Sequence, residues 1–321
     1  MSLLYRSLPE CPRLLDSIHL SDLVQKLHIE TVETISSPIH SNFRVVFILN
    51  NDETGNITRA IQEDEILKTK LQTKKNNRIV TLPCFWDIWK TKSELSRIIL
   101  ASEDPNEEKW KCARSFGYKL ATTFMPLYAK SIYEHFHAKK VLDPCSGWGD
   151  RLLGACLSSD VTHYTGFDPN INLQPGYSKI MNLLDYSTLP STKDHTIQFS
   201  NHFECIALPF EIGVLSLESN SFDLVFTSPP FFEYEIYSPI NPKYNNWIQE
   251  FYTPLFIQSC RCVKTLGYVA IHIDNTLSGD IDSFLLNKVH TLCSLKFVYK
   301  IGLQGQTTGQ IRPVWVFQKM N

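Results

Sequence analysis

From about Arg114 to the end of the chain, short apolar runs that stop at glycine, proline or aspartate alternate with longer helical segments. That alternation restricts the fold more than any other feature, because strands separated by helices must pair in parallel through crossovers. "SFGYKLATTFMPLYAKSIYEHFH" reads as a helix around a proline. "KKVLDPCSGWGDRLLGACLSS" then runs from a strand through a glycine turn into a helix. "HYTGFDPN" is a second strand ending in an acid, "HTIQFSN" a candidate third and "SFDLVFTS" a fourth. A helix over "NNWIQEFYTPLFIQSCRCVK" precedes the fifth, "GYVAIHID", and "SFLLNKVHTLCS" is helical. "LKFVYKIGL" and "IRPVWVFQK", joined by "QGQTTGQ", close the chain as an antiparallel hairpin. The expected class is α/β: a doubly wound, mostly parallel seven-stranded sheet with a terminal hairpin. "ECIALPFEIG" fits either the edge of the third strand or a short helix.

Residues 1–112 are expected to form a smaller α+β region, with residues 113–321 as the Rossmann-like domain. "FRVVFILNNDETGNITRAI" suggests a strand, a turn-rich loop over Asn50–Asn56 and a returning strand. Lys68, Lys70, Lys74, Lys75 and Arg78 gather just before Trp86 and Trp89. Basic residues beside aromatics suit phosphate contacts and base stacking, which makes this region a candidate for target recognition. A solvated loop followed by core tryptophans explains the same residues. The net charge of −2 is spread evenly, with 15 Lys and Arg against 16 Asp and Glu in residues 1–112 and 16 against 17 after them. That balance does not indicate a strongly basic nucleic-acid binder and leaves room for a local patch.

The nine cysteines are scattered and contain no C-x-x-C pair, which argues for reduced thiols in the cytoplasm or nucleus. The start lacks the apolar core of a signal peptide. No apolar run reaches the roughly 18–20 residues that span a bilayer. The sequon Asn56-Ile57-Thr58 is therefore read as chance. No membrane and no metal are expected.

In an open α/β sheet, ligands bind at the carboxyl ends of the strands near the reversal of strand order. "VLDPCSGWGD" lies at the end of the first such strand. Gly147 and Gly149 let the backbone turn sharply and approach a ligand, and the next helix offers its N–H groups. Leu152 stands where the third glycine of a dinucleotide fingerprint belongs. Asp168, 21 residues beyond Gly147, falls where a carboxylate accepts from ribose hydroxyls, or else it caps the helix beginning near Asn170. Glycine turn and acid together point to an adenosine-containing cofactor.

The fourth strand ends in "FDLVFTSPPFF". Two prolines cannot extend a central strand, so the backbone turns stiffly at Ser228. "DPCSGWG" followed by "TSPPF" resembles the S-adenosylmethionine-dependent methyltransferases that act on exocyclic nitrogens of adenine or cytosine. The resemblance covers about residues 115–321. It implies S-adenosyl-L-methionine as cofactor and DNA or RNA as substrate. By position it places Asp143, Pro144, Cys145, Ser146, Gly147, Gly149 and Asp168 at the cofactor, and Ser228, Pro229, Pro230 and Phe231 at the catalytic turn. More loosely, "FMPLYAK", with Lys130, resembles the family segment that walls the methionine end. Glu211 is a candidate for the adenine edge.

In the chemistry so implied, an exocyclic nitrogen is a poor nucleophile because its lone pair enters the ring. The Ser228 side chain and a proline-turn carbonyl would hold its two hydrogens in the attack geometry. Phe231 would stack on a flipped base. Serine rather than aspartate in first position leans toward cytosine without settling the base. No recognition insert fits in the 81 residues between Gly147 and Ser228, so recognition falls to the N-terminal region or to "EYEIYSPINPKYNN". Tyr234 and Tyr237 line the target pocket or cover the turn, while His272 and Asp274 read as structural. Glutamine-amide methylation and a non-catalytic partner subunit are the competing readings, and a plug of phenylalanines is the purely structural one.

Overall fold

The structure is a computed structural model that describes residues 33–35, 43–49, 54–75, 78–91, 115, 117–183, 202–230, 235–236, 246–274, 281–305 and 309–321. Strands β1 (Glu33–Ile35) and β2 (Val45–Ile48) precede helices α1 (Gly55–Ile61) and α2 (Glu63–Lys68). A hairpin of β3 (Lys70–Lys75) and β4 (Arg78–Thr81) leads to α3 (Phe85–Thr91) and then α4 (Pro126–His135). Next come β5 (Lys140–Asp143), α5 (Asp150–Leu157), β6 (His163–Phe167), α6 (Gln174–Asn182), β7 (His202–Ile206) and the short α7 (Phe210–Gly213). After β8 (Phe222–Thr227) and β9 (Glu235–Ile236), a π-helical turn over Ile248–Tyr252 runs into α8 (Thr253–Cys262). Strand β10 (Val263–His272), α9 (Ile281–Asn287), α10 (Val289–Leu292) and the hairpin β11 (Leu295–Gln304) and β12 (Ile311–Lys319) complete the order.

The main sheet has nine strands in the order β1-β2-β11-β12-β10-β8-β5-β6-β7. β8, β5, β6 and β7 pair in parallel, as do β8 and β10, and β12 runs antiparallel to β10 and β11. The order therefore reverses between β5 and β8, and a crevice opens at their carboxyl ends. The expected doubly wound α/β class is what the chain adopts.

Seven strands were expected and nine are present because β1 and β2 extend the edge. β2 pairs in parallel with β11 through Val45 to Ile48, so the boundary at 112/113 divides two stretches that share one sheet. The returning strand expected in "ITRAI" is instead α1, whose Ile57 and Ala60 are buried. "HTIQFSN" lies outside the described residues, and the third strand is "HFECI". The segment "ECIALPFEIG" supplies both the end of that strand and the short helix α7. Helix α4 starts at Pro126 rather than passing through it, since proline fits the first turn, where its missing N–H is not needed.

The two faces of the sheet read directly from the period-two pattern of the strands. Leu224, Phe226, Val314 and Val316 face the core built with α4, α5 and α6, where Leu127, Ile132, Leu152 and Tyr177 are buried. Val225, Trp315 and Phe317 face the opposite core, with Phe256, Phe284 and Val289. β8, buried on both faces, reads as the continuous apolar run typical of a central parallel strand. Full burial of Phe226 alone stabilises the fold by roughly 1.5–3 kcal/mol.

Candidate active site

The loop after β5 is held from below by a buried ion pair. Arg151 Nε lies 2.8 Å from Asp143 Oδ2, and Tyr164 donates to the same oxygen at 2.6 Å. Arg151 also donates to the Cys145 carbonyl. The Cys145 N–H is shared between Asp143 Oδ1 at 3.2 Å and Thr227 Oγ1 at 3.1 Å. That second bond ties the end of β5 to the end of β8. Burial and the Asp143 charge push the Cys145 thiol far up, so it stays protonated and is no nucleophile. Gly147 (φ 56°) and Gly149 (φ 93°) both lie in the left-handed region, which makes the turn a glycine turn. A Cβ on Gly149 would stand 2.6 Å from Ile180 Cδ1.

Asp168 follows β6 and closes over this loop. Its Oδ2 accepts the Gly147 N–H at 3.0 Å and its Oδ1 the Asn170 N–H at 2.9 Å. The helical turn after β6 is capped by Asn170, whose Oδ1 accepts the Asn172 N–H at 3.1 Å, rather than by Asp168, and each Asp168 oxygen keeps a further lone pair. Burial raises this carboxyl to about 6. Tyr177 donates to the Gly147 carbonyl at 2.6 Å and fixes the loop from α6.

Helices α1 and α2 cover the same corner. Glu65 accepts from Asn170 at 3.2 Å and Asn172 at 3.4 Å, and Gln62 donates to the Leu173 carbonyl at 3.1 Å. Thr58 donates to the buried Asp150, which also accepts the Phe124 N–H at 3.2 Å.

At the end of β8, Ser228 faces the crevice and Pro229 is buried behind it. Ser228 Oγ and His272 Nδ1 are 3.0 Å apart. Tyr252 donates to the Pro230 carbonyl at 3.5 Å, the long limit of a hydrogen bond.

All of this frames one cleft of about 950 Å³, a volume that includes open solvent at its mouth. Pro144, Cys145, Gly147 and Trp148 line it from the loop; Asp168, Pro169 and Asn170 line it from the end of β6. Pro209, Phe210 and Glu211 form its wall beyond β7, and Ser228 and Pro230 its far corner. Trp247 and Phe251, stacked at 4.6 Å, complete it from the π-helical turn.

Of the expected site residues, Pro144, Cys145, Gly147, Asp168, Glu211, Ser228 and Pro230 meet in this cleft. Asp143 and Ser146 are buried beneath the loop, and Gly149 caps α5. These residues shape the turn rather than line the cavity. Lys130 lies on α4, 3.7 Å from Glu134, and does not line the cleft. Phe231, Tyr234 and Tyr237 lie outside the described residues. Trp247 and Phe251 were not singled out from sequence, because only the folded chain brings them to the cleft. His272, read as structural, contacts Ser228. Its polar side chain at the end of an apolar strand was the available signal. Among the described residues, no three His, Cys, Asp or Glu side chains cluster to hold a metal, and no helix is long and apolar enough to cross a membrane. The seven described cysteines are all free thiols.

No protein-family model and no curated protein matches the sequence. Among solved structures, the chain is similar to a methyltransferase from Pyrococcus furiosus, with 12% identity over 61% of this chain and 83% of that one, at a TM-score of 0.42. It is also similar to the M. jannaschii tRNA m1G37 methyltransferase, with 11% identity over 62% of this chain and a TM-score of 0.39. The match spans 51%, about half, of that enzyme's length. A third similar structure is the Burkholderia thailandensis 1,6-didemethyltoxoflavin-N1-methyltransferase with bound 1,6-didemethyltoxoflavin and S-adenosylhomocysteine, with 13% identity, coverage of 61% and 78%, and a TM-score of 0.39.

Proposed function

We propose that the protein is an S-adenosylmethionine-dependent methyltransferase acting on an exocyclic amino group of a nucleic-acid base. The observation that carries this reading is the shared cleft: Gly147 and Asp168 at one corner, Ser228 and Pro230 at the other. Thr227, directly before Ser228, accepts from the Cys145 N–H, so a hydrogen bond links the two corners.

The cleft fits the cofactor. Gly147 presents backbone with no Cβ, and Asp168 has unused lone pairs for two ribose hydroxyls. Pro209 and Phe210 offer an apolar wall to a purine ring, with Glu211 at its rim. When bound, S-adenosylmethionine supplies an electrophilic methyl group on a sulfonium. The chain's own part is to bind, align and exclude water. Ser228 Oγ and the carbonyl of the proline turn hold the two amine hydrogens and keep the nitrogen lone pair aimed at the cofactor side. No group in the cleft need be a strong base, because the amine proton becomes acidic as the nitrogen gains its bond.

The strands β3 and β4 stand on the target side in this reading. β3 pairs with β9, which begins five residues after Pro230, so the basic hairpin is tied to the exit of the catalytic turn. The test is direct. The purified full chain is incubated with radiolabelled S-adenosylmethionine and unmethylated DNA, RNA or protein, and the product is identified by mass spectrometry. Label on an adenine or cytosine amino group is expected, and Ser228→Ala is expected to lose most of it while still binding S-adenosylhomocysteine in calorimetry. A fully active Ser228→Ala, or wild type that binds no cofactor, overturns the proposal. Label on glutamine amides alone moves the acceptor from nucleic acid to protein.

A further inference from the structure

The first residue of the turn poses a problem that serine alone cannot solve. To hold an amine hydrogen it must accept, yet a hydroxyl also carries a proton of its own. A proton swinging into the cleft would oppose the amine hydrogens instead of receiving them.

A partner for that proton stands at the end of the next strand. His272 Nδ1 is 3.0 Å from Ser228 Oγ, and the imidazole is buried. Register fixes the ring: β10 pairs with β8 on one side, Ile271 opposite Thr227, and with β12 on the other, His272 opposite Val314. The Phe124 ring meets it edge-on at 5.2 Å and 77°. Burial, together with the charges of Arg312 and Arg151, lowers His272 to about 3. A neutral imidazole has one N–H and one acceptor nitrogen, so the ring either gives a hydrogen bond to Ser228 or takes one.

We infer that His272 Nδ1 accepts a hydrogen bond from the Ser228 hydroxyl, leaving Ser228 Oγ a pure acceptor toward the cleft. His272 is thus a positioning residue, acting through serine on the substrate amine. A carboxylate or an amide in the same place accepts without help, so the histidine compensates for the serine. This inference rests on the reading of the cleft as a methyl-transfer site, and two experiments separate its failure from the failure of that reading.

The first needs no turnover. In protein labelled with ¹⁵N-histidine, imidazole NMR is expected to show His272 with its proton on Nε2 and a hydrogen-bonded, unprotonated Nδ1, and Ser228→Ala is expected to shift the Nδ1 signal. A proton on Nδ1 overturns the inference, whatever the enzyme methylates.

The second is a variant cycle using a single-stranded DNA oligonucleotide containing adenine and cytosine as acceptor. His272→Ala is expected to lower kcat about tenfold to hundredfold, the scale of one misoriented polar contact, with S-adenosylhomocysteine affinity unchanged. His272→Asn, whose side-chain oxygen can stand where Nδ1 stood, is expected to recover most of the loss. In a Ser228→Asn background, His272→Ala is expected to cost less than about threefold, because an amide oxygen has no proton to place. Equal losses in both backgrounds mean that the ring only packs, and overturn the inference. If His272→Ala does not fold, the asparagine variant and the NMR tautomer still decide it.

Discussion

At the glycine-loop corner, Cys145 is held through its N–H by Asp143 and Thr227 and through its carbonyl by Arg151, while Gly147 is gripped by Asp168 and Tyr177. At the opposite corner, Ser228 is held through its side chain by His272, and the Pro230 carbonyl receives a long bond from Tyr252. The first corner is fixed by a buried network whose members each satisfy several others. The second is fixed by proline stiffness and the direction of single hydrogen bonds. Stability should therefore concentrate at the first corner and rate at the second. The sharpest way to break this contrast is Arg151→Ala. Removing the guanidinium strands Asp143, fully buried, and should cost about 3–5 kcal/mol in urea unfolding. A loss below about 1 kcal/mol means that the loop does not depend on the ion pair.

Gly149→Ala probes the same corner more gently. The new methyl meets Ile180 Cδ1 at 2.6 Å and the residue must keep φ 93°, so about 1–3 kcal/mol is expected, with weaker S-adenosylhomocysteine binding. Wild-type affinity with full stability would show that the turn relaxes freely. Asp150, behind the loop, supplies a pH-dependent effect. Burial raises its carboxyl from 3.8 to about 6. The native value lies above the unfolded one, so the favoured native form is the neutral acid. Its contribution is complete below about pH 4 and is lost as pH rises through 6. Asp150→Asn imitates the neutral acid: its amide can donate to Thr58 and its oxygen can accept the Phe124 N–H. The variant should come close to wild type near pH 4 and exceed it by on the order of 2–3 kcal/mol at pH 7, read from urea midpoints across that range. A constant difference between variant and wild type would remove the charge argument. Asp168, raised to about 6 by the same cause, keeps its own share of the slope in both proteins.

These two corners were legible in the sequence to unequal depth. Glycines and an acid at fixed distances are local signals, so "CSGWG" and Asp168 announced the turn and its partner. The reversal of strand order was equally legible, because apolar runs and helices alternate. What a motif cannot carry is direction. Asp143 turns down to Arg151 rather than into the cleft, since a buried arginine in the first turn of α5 needs a buried counter-ion. His272 and Ser228 are 44 residues apart, and only sheet register joins them. The N-terminal strands were missed as part of the sheet for a related reason. β2 reaches its place by a parallel pairing with β11 across more than 250 residues, and no local pattern encodes such a pairing.

The same contrast extends to the target. If the glycine-loop corner belongs to the cofactor and the serine corner to the base, the surface beyond Ser228 must bear the rest of the nucleic acid. The strand that follows the serine turn in sequence, β9, belongs to the three-stranded sheet β4-β3-β9, in which Leu71 pairs with Glu235 and Gln72 with Thr81. Every residue of β4 is exposed, including Ile79 and Val80 at 44% and 39%, although folding alone gives an apolar side chain no reason to stay in water. Lys75 and Arg78 stand exposed where the hairpin turns, whereas Lys70 is neutralised by Asp87 at 2.7 Å. Charge reversal at Lys75 and Arg78 together should leave stability within about 0.5 kcal/mol, as for exposed residues generally. It should weaken binding of a single-stranded oligonucleotide modestly at physiological salt. Each lost phosphate contact should reduce the slope of log affinity against log salt by about 0.7. Reversal at Lys70 and Asp87 together, which preserves their ion pair, should leave that slope unchanged. An unchanged slope in the Lys75 and Arg78 variant would confine recognition to the serine corner itself, because electrostatic contact with a phosphate cannot be lost without releasing its salt dependence.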